Sequence, residues 1–106
     1  MPNFMFVYHG GSMPETEEEA NAAMARWGKW MEDNGPNLVD PGNPVGMSKT
    51  VSAAGVADNG GANPASGFTV IKADSIDAAT QMAKGCPMVI NGSGSVEVAE
   101  IHEIEM

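Results

Sequence analysis

Two segments of this chain are apolar on both of their alternating faces, and this feature limits the possible folds most. Residues 3–9 and 67–73 are rich in aromatic and β-branched residues, which is typical of β-strands. Along the first segment, Phe4 and Phe6 fall on one face while Met5 falls on the other. A strand of this kind is usually central in its sheet and covered on both sides. We therefore expect a sheet with an apolar layer on each face.

Two amphipathic helices are predicted beside this sheet. The first begins at a capping box formed by Ser12 and Glu15 and ends at Gly35, which gives about 22 residues and a length of roughly 33 Å. The second is capped within Asp74–Asp77 and ends at Gly85. Their predicted buried stripes are Ala20, Ala23, Met24, Trp27 and Met31 in the first helix, and Ile76, Ala79, Met82 and Ala83 in the second.

The remaining elements complete a β-α-β-β-α-β order. We expect a short extended piece at 38–40, a strand near 47–54, a loop over 58–66 and a last strand over 95–104, with a bulge or fraying between Val98 and Ile101. This order predicts an α+β, ferredoxin-like fold with an antiparallel four-stranded sheet and two helices on one face. The length suits a single domain over residues 1–106.

Assembly follows from the second apolar face of the sheet. With both helices on one side, the other face would expose an apolar patch, which implies a partner. Cyclic dimers are the commonest assembly. We therefore predict a homodimer through the open sheet face, a dimeric α/β barrel whose sheets enclose a central space.

The charge balance excludes several classes of partner. Fourteen acidic against five basic residues give a net charge of −9, which disfavours both nucleic acid and anionic membranes. No apolar run approaches the ~18 residues of a membrane span, and the first residues lack the basic region of a signal peptide. The lone Cys86 cannot form an intrachain disulfide. We expect a soluble cytoplasmic protein.

Several motifs together resemble the YCII-related domain family, in its DGPF-domain branch, within the dimeric α/β-barrel superfamily. They are the strand Phe4–His9, Pro14-Glu15, Gly67–Ile71, Asp74–Ala79, Gly85-Cys86-Pro87 and Gly94–Val98. The Asp-Gly-Pro-Phe loop of the family is absent, and residues 58–64 stand in its place. The resemblance implies the same ferredoxin-like fold and dimeric barrel, and, for some relatives, a His and an acidic residue facing the cleft. It does not imply a particular reaction.

Three residues are candidates for catalysis by proton transfer. His9 ends the first strand beside two glycines, where it could act as general base or acid, or simply bond locally. Glu97 lies between Val96 and Val98 on the opposite face of the strand; if the valines point at the helices, Glu97 points into the dimer space, and the alternative is a solvent-facing charge on an edge strand. Asp40 precedes Pro41 in a sequence that also suits an ordinary turn.

The other chemistry-bearing residues favour packing. Trp27 belongs to the helix stripe, whereas Trp30 could line a pocket or interface, and Cys86 resembles a packed residue. No dinucleotide, P-loop or zinc-protease motif is present, and a metal site at His102 is a weak candidate, so we expect neither cofactor nor metal. The sequence leaves three hypotheses open. The first is a proton-transfer enzyme that acts on a small, partly apolar molecule between the sheets, with His9 as base and Asp40 or Glu97 as partner. The second is a non-catalytic binding or accessory dimer, and the third is a purely structural dimer.

Overall fold

The computed structural model describes residues 1–11 and 13–104. The strands are β1 (Asn3–Gly10), β2 (Leu38–Asp40), β3 (Thr50–Ser52), β4 (Gly55–Ala57), β5 (Ala65–Lys72) and β6 (Gly94–Glu100). The helices are α1 (Glu17–Asp33), α2 (Ile76–Lys84) and α3 (Pro87–Ile90), with a 3₁₀ turn at Gly35–Asn37. Within the described residues, no helix is long and apolar enough to cross a membrane.

The main sheet confirms the predicted fold class. Its strand order is β2-β5-β1-β6 and every neighbouring pair is antiparallel. In chain order, the four strands of this sheet are β1, β2, β5 and β6. Their spatial order is that of a ferredoxin-like α+β arrangement. The two strands that are apolar on both faces, β1 and β5, lie at its centre, because only central strands have neighbours on both edges and layers on both faces.

The hydrophobic core lies between the helices and one face of the sheet. Phe4, Phe6 and Ile71 are almost completely buried there, together with Ala79 of α2. The ring of Phe6 packs on Trp30 with 6.2 Å between ring centroids. Fully burying side chains of this size contributes about 1.5–3 kcal/mol each, so this layer is the main source of the fold's stability.

Helix α1 is shorter than predicted and presents a different stripe to the core. Thr16, not Ser12, caps it: the Thr16 hydroxyl accepts a hydrogen bond from the Glu19 backbone N–H at 3.1 Å. Ser12 lies outside the described residues. Met24 is 72% exposed, which makes its predicted core position wrong, while Trp30 is buried. The helix is rotated so that the larger tryptophan surfaces, rather than Met24, cover the sheet.

The predicted strand over 47–54 is confirmed only in part, because β3 covers Thr50–Ser52 and does not join the main sheet. The second strand of the sheet is the short β2, and the later segment forms a separate hairpin of β3 and β4. Gly55 opens β4 with a φ of 129°, a conformation open to glycine, and the chain therefore turns back after Ser52. All six residues of the hairpin strands are exposed.

The chain after β2 continues along the edge of the sheet. The Val45 N–H donates to the Ser66 carbonyl at 3.0 Å, and the Phe68 N–H donates to the Asn43 carbonyl at 3.2 Å. This extension brings residues 41–45 beside the first half of β5. It forms one wall of the cavity described below.

Strand β6 is more regular and shorter than predicted. Its pairing with β1 runs from Gly94 opposite Gly10 to Glu100 opposite Phe4 without a register shift. The sequence predicted a bulge or fraying between Val98 and Ile101: no bulge occurs in the pairing with β1, and the strand ends at Glu100, within the interval where fraying was predicted. In the pairing of β1 with β5, the register shifts between Tyr8 and His9.

Candidate functional site

A large open cavity lies between α1 and the sheet, with a volume of about 1220 Å³. Helix α1 lines one side, and the chain extension at 41–45 lines another. The β1 end closes it through Gly10 and Gly11, whose φ angles of 81° and 105° suit only glycine. The sequence-based expectation placed a cavity between two sheets. In the described chain, the large cavity is on the helix side.

The wall of this cavity contains a fixed aromatic pair. Trp27 packs edge-on against Tyr8, with 5.2 Å between ring centroids and an interplanar angle of 84°. The Tyr8 hydroxyl donates to the Thr69 hydroxyl at 2.7 Å, and Thr69 donates to the Pro41 carbonyl at 2.9 Å. This chain of hydrogen bonds joins β1, β5 and the segment after β2, and therefore holds the wall in shape.

Tyr8 itself is poorly suited to proton exchange at neutral pH. Burial disfavours the charged phenolate and raises the pKa of Tyr8 to about 12, although the hydrogen bond with Thr69 acts in the opposite direction. Tyr8 therefore contributes a hydroxyl and an apolar ring edge. Ser66, which also lines the cavity, has a buried hydroxyl without a hydrogen-bond partner in residues 1–11 and 13–104.

His9 and Glu97 meet on the opposite face of the sheet. They are diagonal neighbours, because His9 pairs with Ser95 while Glu97 pairs with Val7. The His9 Nε2 atom lies 3.0 Å from Glu97 Oε1, and His9 Nδ1 lies 3.2 Å from the Pro64 carbonyl oxygen. The His9 side chain is 10% exposed and that of Glu97 is 65% exposed.

This arrangement favours a protonated His9. The carbonyl of Pro64 and an ionised Glu97 are both acceptors, so both contacts are hydrogen bonds only when both ring nitrogens carry protons. The hydrogen bond with Glu97 raises the pKa of His9 above its ordinary value, while partial burial acts against it. His9 is thus arranged as a proton donor, and it must release one contact before it can act as the predicted base.

The structure does not bring Asp40 to this pair. Asp40 lies on the edge strand beside Val70, which pairs with Met5, whereas His9 is four residues farther along β1. That offset is about 13 Å along the strand, and Asp40 is also two strands away. Its Oδ1 atom accepts a hydrogen bond from the Gly42 N–H at 2.8 Å, which is the turn that the sequence also suits.

The remaining candidates agree with packing roles. Cys86 is fully buried, and burial raises the pKa of its thiol, which suppresses the reactive thiolate. Trp30 donates its ring N–H to the Met82 carbonyl at 3.1 Å inside the core. His102 is exposed after the end of β6. Within the described ranges, no group of three His, Cys, Asp or Glu side chains is arranged to hold a metal ion.

The sequence-based reasoning missed the residues of α1 that line the cavity. Ala22, Ala23 and Arg26 all face it, and Trp27 follows directly. A signal was present, since two adjacent alanines leave room one turn before an arginine. The opposite wall of the cavity is formed by residues 41–45, which follow β2. These residues show no periodic hydrophobic pattern, so the sequence does not predict where this wall lies.

Comparison with known proteins supports the fold. No family model matches the chain. No curated protein matches it either. Among solved structures, it is similar to 5-chloro-2-hydroxyhydroquinone dehydrochlorinase from Burkholderia phenoliruptrix AC1100, in complex with 2,5-dihydroxybenzoquinone. The match has a TM-score of 0.56 and 14% identity, and covers 92% of this chain and 93% of that one. At this identity, the likeness shows a shared fold, and the resemblance to the YCII-related family stays a prediction.

Proposed function

We propose that this protein binds a small, partly apolar molecule in the cavity between α1 and the sheet. The cavity itself carries the proposal: its 1220 Å³ volume exceeds what a small ligand needs, and an aromatic wall meets a few polar groups there. The complex named for the structural neighbour contains a small ring compound, 2,5-dihydroxybenzoquinone, which belongs to this class of ligand. The proposal keeps the cytoplasmic location expected from the sequence.

A neutral fluorescent ligand tests this proposal. N-phenyl-1-naphthylamine is partly apolar, carries no charge, and brightens when it leaves water. Ala22→Trp would place a bulky ring in the cavity one helical turn from Arg26, whereas Ala25→Trp adds the same side chain at an exposed position of α1 outside the lining. We expect binding by the wild type and by Ala25→Trp, and an affinity at least tenfold weaker for Ala22→Trp. Equal affinities in the two variants, or no binding by the wild type, would contradict a ligand site in this cavity.

A second candidate function is proton transfer by His9 and Glu97 on the open sheet face. The 3.0 Å contact between their side chains supports it, because a carboxylate beside an imidazole tunes the ring for proton exchange. Loss of HCl from a chlorinated ring, the type of reaction named for the structural neighbour, releases a proton and a chloride ion. His9 would first lose a proton and its contact with the Pro64 carbonyl, after which Nδ1 would accept the released proton while Glu97 holds the ring through Nε2. Asp40, the other partner predicted for His9, is two strands away.

Chloride release from 5-chloro-2-hydroxyhydroquinone under anaerobic conditions tests this second candidate. We expect His9→Gln to abolish release and Glu97→Gln to reduce it. Glu100→Gln, on the same strand but outside the contact, is the matched control. Absence of release by the wild type, or equal release by His9→Gln, rules out this chemistry.

We also propose that a second copy covers the open sheet face. Met5 and the partly buried Val7, Phe68 and Val70 form an apolar layer there, and none of the helices in residues 1–11 and 13–104 covers it. A layer of this kind would be enclosed if two sheets packed face to face. Light scattering should then give twice the 11.0 kDa chain mass. Val70→Lys should produce monomers, whereas Ile90→Lys, at an exposed position of α3, should not; a monomeric wild type refutes the dimer.

A further inference from the structure

We infer that the ligand of the cavity between α1 and the sheet carries an acidic group, and that Arg26 binds it. This inference rests on the proposed function and adds the chemical class of the molecule. The class is a small organic anion, a carboxylate or an ionised ring hydroxyl, joined to an apolar body. Three features of the cavity support it.

The first feature is that Arg26 lacks a local acidic partner. One helical turn away in either direction lie Ala22, Ala23, Lys29 and Trp30, and none of them is acidic. Ion pairs in the described residues involve other cations: Lys29 contacts Asp33 and Lys49 contacts Asp58, each at 3.1 Å. In the described ranges Arg26 therefore forms no ion pair, although the chain has fourteen acidic residues and Glu15 and Glu19 line the same cavity.

The second feature is the space in front of Arg26. Ala22 and Ala23 lie one turn earlier on α1 and line the same cavity as Arg26, and their side chains are only methyl groups. Trp27, on the other side, contributes an aromatic surface that is fixed against Tyr8. A ligand can therefore place its apolar body against Trp27 while its acidic group reaches Arg26. Arginine suits this role, because its planar group donates two parallel hydrogen bonds to an anion.

The third feature sets the orientation of the ligand. Glu15 and Glu19 line the cavity near the start of α1. Glu19 lies seven residues before Arg26, which corresponds to about 10 Å along the helix. Its carboxylate is held by the Glu15 backbone N–H at 2.9 Å. Repulsion from these two carboxylates disfavours an anion at that end, so the acidic group is directed toward Arg26.

A matched pair of fluorescent ligands tests the inference. 8-Anilinonaphthalene-1-sulfonate has the body of N-phenyl-1-naphthylamine and one added sulfonate. We expect the sulfonate to bind the wild type more tightly than its neutral analogue does. Arg26→Gln should weaken sulfonate binding about tenfold or more, since the positive charge and the charge-assisted hydrogen bonds of the guanidinium are lost, while affinity for the neutral analogue changes by less than about twofold.

The controls separate this inference from the proposed function. Lys29→Gln removes the same charge from an exposed position of α1 outside the cavity lining and should leave both affinities unchanged. Arg26→Lys should retain part of the preference for the sulfonate. If the neutral compound binds in the cavity but Arg26→Gln and Lys29→Gln affect the sulfonate equally, the acidic-ligand inference is wrong and the cavity site stands. If neither compound is displaced by Ala22→Trp, the cavity site itself is wrong.

Discussion

Gly42 lies where the chain after β2 passes closest to β5, and replacing it with alanine should disturb the cavity wall. Its φ is +73°, and a Cβ atom built there would lie 1.7 Å from the Phe68 carbonyl oxygen. Cβ atoms in proteins are essentially never closer than 3.0 Å to such an atom, so the two backbone segments would have to separate by at least 1.3 Å, the difference between 3.0 and 1.7 Å. Phe68 is on a central strand, so the segment after β2 is the one that must move.

The expected cost combines two effects. A left-handed backbone conformation costs a non-glycine residue about 1–2 kcal/mol. Separation of the segments also weakens the bond from the Phe68 N–H to the Asn43 carbonyl, and each such hydrogen bond contributes about 0.5–1.5 kcal/mol. We therefore expect Gly42→Ala to lower the free energy of unfolding by about 1.5–3.5 kcal/mol, the sum of the two effects and a large fraction of the ~5–15 kcal/mol of a typical domain.

Urea unfolding followed by tryptophan fluorescence and circular dichroism measures this change. Gly46→Ala is the matched control, because a Cβ atom at Gly46 meets no atom within 4 Å and the residue has no positive φ. The control should change the free energy of unfolding by less than about 0.5 kcal/mol. A loss below about 0.5 kcal/mol in Gly42→Ala would refute the reasoning, since it would show that the segment after β2 does not depend on this close approach.

Three further predictions concern the core, the helix cap and the ion pair. Phe6→Ala should destabilise the fold by about 3–5 kcal/mol in urea unfolding, because it leaves a cavity beneath α1; a loss under 1 kcal/mol would contradict its central place in the core. Thr16→Ala should reduce stability by about 0.5–2 kcal/mol and reduce helical circular dichroism, whereas an unchanged protein would show that Thr16 does not cap α1. Glu97→Gln should lower the pKa of His9 in an NMR titration. Because that pKa is raised in the folded state, the stabilisation from the pair is present below about pH 6.5 and is lost as the pH rises through the folded value, so wild type and Glu97→Gln should converge in stability at alkaline pH. The difference in the free energy of unfolding between wild type and Glu97→Gln should stay within about 1 kcal/mol, since Glu97 is largely exposed. A difference in stability that grows with pH would refute the ion pair.

Much of the fold could be predicted from residues whose pattern is local. Strand β1, which includes Phe4, is predicted by its apolar and aromatic residues, and the end of α2 is predicted by Gly85. Both elements appear in the structure. The start of α1 was misplaced because two capping residues, Ser12 and Thr16, each precede a glutamate by three positions. Local rules cannot choose between two such caps, since the choice depends on how far β1 and its glycines carry the chain before it turns.

The candidate site depended more on tertiary structure. His9 and Glu97 are 88 positions apart, and their contact exists because β1 and β6 pair in one particular register. A shift of one residue would turn Glu97 to the helix side. The same limit explains Asp40, which is acidic and close to a turn but lies on the far edge of the sheet.

The sequence by itself determined that β1 and β5 are central strands, because apolar side chains on both faces of a strand require cover on both sides. It also determined the α+β order and the acidic surface. Only the tertiary structure decided on which side of the sheet the large cavity lies. That decision depends on residues 41–45, which carry no periodic pattern and pair with β5 through their backbone. Backbone hydrogen bonds are available to nearly every residue, so side-chain identity alone does not show where they build this wall. For the same reason, it does not show that Arg26 and Trp27 lie beside an open cavity.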